Sequence, residues 1–170
     1  MRRLVIIGML GFAVIACKTT KEGVSKSVQP ISCKDFLNQP FGVDETIASF
    51  KKQFVKGVKV KKVIRRNKHD AQKVDTIFQF HSRKSNIFIY KTYFNREMIL
   101  GGKIADSKFP LVNGVVPGMK RDIFFKSFND FEDNRKDSIE LYSKELMRTF
   151  TFTFDSHGVL KKITFSSYID

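Results

Sequence analysis

Near its C-terminal end the chain has a run in which phenylalanine alternates with threonine. Phe150, Phe152 and Phe154 are separated by single threonines, so an extended strand carries one aromatic face and one polar face. The segment DSHG at 155–158 follows, and its glycine can adopt the positive φ of a tight turn. The alternation resumes over 160–168. The pattern predicts an antiparallel hairpin with one buried face.

Shorter stretches predict further strands earlier in the chain, and most of them have the same period of two. They are centred on 58–61, 76–80, 87–91, 98–104 and 139–141. Gly101 and Gly102 lie inside the fourth stretch, where they indicate a bulge or a turn. Together the stretches predict a mainly antiparallel meander sheet.

Two apolar stripes at helical spacing predict two amphipathic helices. The first stripe comprises Val43, Ile47, Phe50 and Phe54, and the second comprises Met119, Ile123, Phe124, Phe128 and Phe131. Asp44 is the expected N-cap or first-turn acid of the first helix, and Gly57 its expected stop. We therefore expect an α+β fold in which two helices pack on one face of the sheet.

The first seventeen residues predict export and a lipid anchor. Arg2 and Arg3 precede an uncharged run over 4–16, which is shorter than the roughly 20 apolar residues that span a bilayer. The run ends in VIAC at 14–17, which resembles a bacterial lipobox. The resemblance implies that residues 1–16 are a signal peptide and that Cys17 carries lipid, which would hold the protein to a membrane.

A plain secretory signal and an uncleaved membrane helix are the alternatives to the lipobox. Lipid on Cys17 leaves Cys33 without a pairing partner, whereas an unmodified Cys17 can form a disulfide with it. Lys18 stands where an aspartate would retain an enteric lipoprotein at the inner membrane, so we expect the bacterial outer membrane. Residues 17–30 are then the lipidated cysteine and a flexible tether, and 31–170 form the globular domain.

Positive charge is concentrated in one part of the chain, whose formal net charge is +14. Residues 51–73 hold ten cations and one acid, Asp70. A basic face of this kind can attract an anionic lipid, a polysaccharide or an acidic protein. The alternative is that these cations lie on a solvent-exposed strand face that binds no partner. The candidate contacts for an anionic partner are Lys59, Lys61, Lys62, Arg65, Arg66 and Lys68. We expect no nucleic acid, because no recognition motif accompanies the charge.

The sequence contains no recognisable catalytic or metal-binding motif. His69, His81 and His157 have no ligand partner at the spacing that a metal site needs. The DSHG segment is not a catalytic triad, because adjacent residues of one turn cannot supply its geometry. The acidic run at 130–134 lacks the ligand spacing and glycine of an EF-hand. We therefore expect no enzyme, no cofactor and no metal.

The two halves of the chain, about 41–106 and 114–170, show similar patterns. Phe78 and Phe152 both begin a Phe-x-Phe segment, 74 positions apart, and Ile47 and Ile123 both lie in the helical stripes, 76 apart. Either a tandem duplication or a chance alignment of two amphipathic patterns accounts for the match.

The second half also carries a hairpin motif. Its residues are Gly118, Met119, Phe152, Phe154, Asp155, Gly158, Leu160 and Ile163. The motif resembles the small α+β lipoproteins of the BamE/SmpA-like group and the tandem modules of β-lactamase-inhibitor-like (BLIP-like) proteins. The resemblance implies an envelope protein that binds other proteins or lipid, and it supplies no catalytic residue.

We expect a lipid-anchored envelope protein that acts as a non-enzymatic protein-binding or scaffold module. The open sheet face or the basic region 51–73 would contact an envelope protein. The alternative is that the basic region binds an anionic envelope polymer or lipid headgroups. An enzyme is the third hypothesis.

Overall fold

A computed structural model describes residues 29–54, 56–132 and 135–168. Within these ranges the chain forms seven strands: β1 (Lys59–Arg66), β2 (Val74–His81), β3 (Asn86–Lys91), β4 (Glu97–Ile104), β5 (Ser138–Ser143), β6 (Arg148–Phe154) and β7 (Leu160–Ser167). It also forms three short helices: α1 (Cys33–Asn38), α2 (Ile47–Gln53) and α3 (Arg121–Lys126). The prediction of a mainly antiparallel meander is confirmed, because every pairing between these strands is antiparallel.

The seven strands form one sheet in the order β1-β2-β3-β4-β7-β6-β5. Two meanders, β1–β4 and β5–β7, therefore meet along the β4·β7 pair. A register shift opposite Phe88 and Ile89 confirms the predicted bulge. A Cβ on Gly101 would lie 2.5 Å from the Phe165 carbonyl oxygen, so only glycine permits this approach of β4 to β7. Gly158 has a φ of 71° in the predicted hairpin turn.

The core lies on one face of the sheet, under the helices. Each helix buries a phenylalanine that contacts a phenylalanine of the sheet. The ring-centroid distances are 5.1 Å for Phe36 and Phe150, 5.5 Å for Phe50 and Phe80, and 4.8 Å for Phe124 and Phe152. These edge-on and tilted pairs are the favourable geometry for aromatic rings. The alternating phenylalanines therefore form the core, as their period of two predicts.

The helices differ from the prediction in number and extent. Helix α1 was not expected, and α2 begins only at Ile47, where the Thr46 hydroxyl accepts a hydrogen bond from the Ser49 amide at 3.2 Å. The prediction of Asp44 as the N-cap is therefore wrong. Helix α2 ends at Gln53, before Gly57. Helices of six or seven residues are marginal alone, so sheet packing and not an intrinsic helical stripe sets their limits.

The proposed duplication is not reflected simply in the sheet order. The offset of 74 equates β3 with β7, but these strands flank β4 and run parallel to each other. The duplication stays a prediction. The predicted signal peptide, Cys17, Lys18 and the part of the predicted tether up to residue 28 lie outside the described residues. None of the helices formed by the described residues has the length and apolar content needed to cross a bilayer.

Candidate functional site

The structure places the predicted basic residues on β1 and in the loop after it. Strand alternation puts Lys59, Lys61 and Arg65 on the open face of the sheet, away from the helices. Lys62 and Arg66 lie on the opposite side, in register with Phe78 and Val74. The cations therefore form two rows and not the single basic face that the sequence predicts.

A groove lies on the open face, at the end of the sheet where β1 leads to β2 and β3 to β4. Its volume is about 540 Å³, within the range of ligand pockets. Its floor consists of Ile77, Tyr90, Met98 and Leu100 from β2, β3 and β4. The loops 67–73 and 92–96 form its walls. Arg65 and Lys68 border this groove, and Arg66 also borders it although it belongs to the other row, because it is the last residue of β1 and leads into the first wall. Lys59, Lys61 and Lys62 do not border the groove.

The carboxylate of Asp75 holds the two walls to the floor. Asp75 is only 1% exposed and accepts hydrogen bonds from the Asn67 side-chain amide at 2.7 Å, the Tyr93 backbone amide at 2.9 Å and the Tyr90 hydroxyl. Asn67 belongs to the first wall, Tyr93 to the second and Tyr90 to the floor. The groove is therefore organised before any ligand arrives.

The same hydrogen bonds shift the titration of Asp75 and Tyr90. The hydrogen bond from the Tyr90 hydroxyl is the main cause that lowers the pKa of Asp75 below its ordinary value. Burial, followed by the hydrogen bond to Asp75, raises the pKa of Tyr90 to about 12. Asp75 is thus a carboxylate and Tyr90 a neutral phenol across the physiological range.

Two aromatic rings stand out from the second wall on a tight turn. The Thr92 hydroxyl accepts a hydrogen bond from the Arg96 amide at 3.0 Å, and Asn95 adopts a φ of 65°. This turn leaves Tyr93 41% and Phe94 62% exposed, with their ring centroids 4.0 Å apart. Exposed rings in contact with each other beside a groove are typical of a surface that stacks on a ligand.

Most of the cations around the groove lack an anionic partner. Within the ranges that the structure describes, no ion pair engages Arg65, Arg66, Lys68 or Arg96. The Nζ of Lys73 instead lies 3.0 Å from Asp70 Oδ2 and 4.4 Å from the centroid of the Tyr93 ring. Hydrogen bonds with Tyr93 and then Asp70 raise the pKa of Lys73. The groove therefore has an excess of positive charge that a bound anion would neutralise.

Sequence reasoning found the basic side of this site and missed the aromatic side. Tyr93, Phe94 and Arg96 lie in a five-residue segment, TYFNR, between two predicted strands. Its signal was two adjacent aromatic residues beside Asn95, a residue type that favours turns and positive φ. No local sequence pattern indicated the role of Asp75, since its hydrogen-bond partners come from three different segments of the chain.

The histidines are not brought together by the fold. His69 borders the groove, His81 lies at the end of β2 remote from it, and His157 lies in the β6–β7 turn. Among the residues with described positions, no group of three or more His, Cys, Asp or Glu side chains is placed to hold a metal ion.

Comparison of the chain with protein-family models, curated proteins and solved structures finds no match. Function has to be inferred from the groove and from the surface of β1.

Proposed function

We propose that this chain is a membrane-anchored, non-enzymatic binding protein whose groove binds an anionic polymer or lipid headgroup of the bacterial envelope. One observation carries the proposal: Arg65 and Arg96 lie around a groove beside the exposed Tyr93 and Phe94 rings, and neither arginine has an ion partner among the described residues. Positive charge alone would be a solvated surface. Charge combined with exposed rings and a preorganised cavity supports a binding site.

Each part of the groove suits a different part of such a ligand. Arginine guanidinium groups bind phosphate or carboxylate oxygens through paired, charge-assisted hydrogen bonds. The rings of Tyr93 and Phe94 offer flat apolar surface to a sugar ring or to the carbon chain of a headgroup. An anionic saccharide carries both kinds of group within a few ångströms. The ligand class that fits best is therefore a phosphorylated or acidic glycan, free or attached to a lipid.

The proposed anchor places this groove close to the membrane. Lipid on Cys17 and a tether of thirteen residues, 18–30, would give a typical reach of ~20 Å between the membrane surface and the domain. The lipobox-like sequence and Lys18 support attachment to the outer membrane. Envelope glycans and anionic headgroups lie within that reach.

We also propose that the fold is an α+β layer arrangement related to the BamE/SmpA-like and BLIP-like modules. The hairpin motif residues support this, since Phe152 and Phe154 are buried and Gly158 adopts the positive φ of the turn. The three buried helical phenylalanines support a helical layer on the sheet. The strand order β1-β2-β3-β4-β7-β6-β5 provides the test. A BamE/SmpA-like or BLIP-like module whose strands pair in a different order would count against the relationship.

The test uses the full chain in detergent and three soluble polymers. Dextran sulfate presents rings and anions, polyphosphate presents anions only, and uncharged dextran presents rings only. We expect dextran sulfate to bind tightest, polyphosphate more weakly and dextran not measurably. Replacing Arg65, Arg66 and Lys68 with Gln should weaken dextran sulfate binding at least about tenfold by isothermal calorimetry.

A matched control separates the groove from net charge. The control replaces Lys34, Lys126 and Lys144 with Gln, removing three exposed cations that lie outside the groove. Replacing Tyr93 and Phe94 with Ser should weaken binding of dextran sulfate but not of polyphosphate. Equal losses in the groove variant and the control variant would contradict the proposed site.

A second candidate function is that of a protein-binding scaffold, and the surface of β1 favours it. All eight residues of this strand are exposed, on both faces, and Val60 and Ile64 are 42% and 67% exposed. Exposed apolar side chains on a sheet edge are typical of a surface that another protein covers. This surface shares Arg65 and Arg66 with the border of the groove, whereas Lys59, Lys61 and Lys62 lie outside the groove, so substitutions of these three lysines test the second function separately.

A further inference from the structure

Strand β1 forms one edge of the sheet, and no strand among the described residues pairs with its outer side. In an antiparallel edge strand, the residues that do not bond to the neighbouring strand direct their N–H and C=O groups outwards. Strand β1 spans eight residues, Lys59–Arg66, and is paired along its whole length with β2 on the inner side. It therefore offers a regular row of backbone donors and acceptors to an incoming strand.

The side chains of β1 give this edge two rows of different character. The open-face row is Lys59, Lys61, Val63 and Arg65, and the helix-side row is Val60, Lys62, Ile64 and Arg66. The open-face row is mainly cationic. The helix-side row alternates apolar and cationic residues and is left exposed by α2. A partner strand would thus meet positive charge on both faces and uncovered apolar surface on one.

Charge disfavours two occupants that belong to this chain. A second copy of β1 would bring its five cations against the same five cations, and like charges on opposed strands are destabilising. The segment 18–30 contains three lysines, Lys18, Lys21 and Lys26, and one acid, Glu22, so its net charge is positive, like that of β1. The lysines that protect the edge from self-pairing are the same ones that favour an acidic segment.

We propose that β1 binds an extended acidic segment of an envelope protein as an additional strand of the sheet. Acidic residues of the segment lie beside Lys59, Lys61 and Arg65, and aliphatic residues cover Val60 and Ile64. Backbone hydrogen bonds supply affinity, and the two rows of side chains supply specificity. This inference rests on the second candidate function, that of a protein-binding scaffold.

The probe is a peptide as long as β1, capped at both ends, in which glutamate alternates with valine. Its control has the same sequence but carries N-methyl groups on alternate backbone amides, on the edge that would face β1. Both peptides have the same charge and composition, but the control cannot complete the backbone ladder. We expect the control to bind the full chain in detergent at least about tenfold more weakly.

Variants of the chain locate the contact. Replacing Lys59, Lys61 and Lys62 with Gln should weaken peptide binding about fivefold at low salt, and less at physiological ionic strength of about 0.15 M. The control variant with Lys34, Lys126 and Lys144 replaced by Gln should bind the peptide within about twofold of the unaltered chain. Replacing Phe94 with Ser, in the groove, should leave peptide binding unchanged.

Amide hydrogen exchange provides the direct readout. Saturating peptide should slow exchange at alternate amides of 59–66, where the outward N–H groups become bonded. Equal binding of both peptides, or no slowing on β1, would overturn strand addition while leaving a charge-driven scaffold intact. Failure of both peptides to bind would overturn strand addition and count against the scaffold function, while the groove is judged separately by the polymer assay.

Discussion

Arg148 makes a two-pronged ion pair with Glu45, with Nη1 2.8 Å from Oε1 and Nη2 2.6 Å from Oε2. Arg148 lies at the start of β6, and Glu45 lies between α1 and α2. The same guanidinium donates a hydrogen bond to the Leu37 carbonyl oxygen at 2.9 Å, at the end of α1. One side chain therefore joins the α1–α2 connection to the sheet, across more than a hundred residues of sequence.

Replacing Arg148 with Met should destabilise the protein by about 3 kcal/mol, because it leaves the largely buried carboxylate of Glu45 without its partner. Burial already raises the pKa of Glu45, and the hydrogen bonds and charge of Arg148 oppose that shift. The double variant Arg148→Met with Glu45→Gln should recover at least about 1 kcal/mol of this loss. Urea denaturation measures the unfolding free energy of the single variant and of the double variant. A double variant no more stable than Arg148→Met would contradict the role given to the unpaired carboxylate.

Replacing Asp75 with Asn should loosen the walls of the groove without unfolding the sheet. The neutral amide cannot accept all three hydrogen bonds with the same strength, so amide exchange should quicken in 67–73 and 92–96. Exchange in β6 and β7 serves as the internal control and should change little. The Asp75→Asn variant should also bind dextran sulfate more weakly, since its groove is no longer preorganised.

The effect of Asp75 on stability should depend on pH. Its pKa is lowered in the folded state, so its stabilising contribution is present above its ordinary value of 3.8 and is lost as the pH falls through the folded value. The difference in unfolding free energy between the unaltered chain and Asp75→Asn should therefore narrow below pH 3.8. A difference that stayed constant down to strongly acidic pH would be inconsistent with a lowered pKa.

Cys33 should be an unreactive thiol. Burial is the main cause that raises its pKa to about 12, followed by the hydrogen bond and charge of Asp130. The thiolate fraction of Cys33 near neutral pH is then far lower than that of an ordinary thiol. Alkylation by iodoacetamide should slow at least about tenfold, and by less than the fall in thiolate fraction, because a thiolate of higher pKa is more nucleophilic. Asp130→Asn should speed the reaction only partly, because burial stays. Rapid alkylation in the folded chain would contradict this environment for Cys33.

Glu97 caps a helix that is distant in sequence. Its Oε2 accepts a hydrogen bond from the Ile47 amide at 2.7 Å, at the first residue of α2, while its Oε1 lies 3.2 Å from Lys91 Nζ. Glu97→Ala should cost about 1 kcal/mol through the lost cap. Lys91→Ala should cost less than about 0.5 kcal/mol, because it removes only a partly exposed ion pair. Equal losses measured by thermal denaturation would show that the ion pair, not the cap, is the main contribution.

Most of the strands were predictable from sequence because they carry a local period of two, whereas β1 is exposed along its whole length and β4 contains a continuous apolar run. Phe150, Phe152 and Phe154 identify a strand without knowledge of any neighbour. Helix α1 was not predicted, since its local signal is limited to the Ser32 cap, which accepts a hydrogen bond from the Asp35 amide at 3.0 Å. The helix holds only two buried residues, and its first amide is bonded by Asp130, 97 residues away. A contact of that separation leaves no mark on a local pattern.

The groove was predictable only in part for a similar reason. Arg65, Arg66 and Lys68 stand in a basic run, so local composition indicates them. Tyr93 and Phe94 gain their significance from facing that run across the sheet, a placement that depends on the register of β1 through β4. The splitting of the β1 cations into two rows likewise follows from pairing and not from composition.

The β4·β7 pair also determines the order in which the chain can assemble. Hairpins within each meander close over short loops, whereas Gly101 and Ser166 must meet across about 65 residues. We therefore expect each meander to form independently and the β4·β7 pair to form last. Substitutions at Gly101 or Gly102 should slow this final step of folding. They should also leave β4 and β7 as unpaired strand edges, which can pair with the strands of another molecule and cause aggregation.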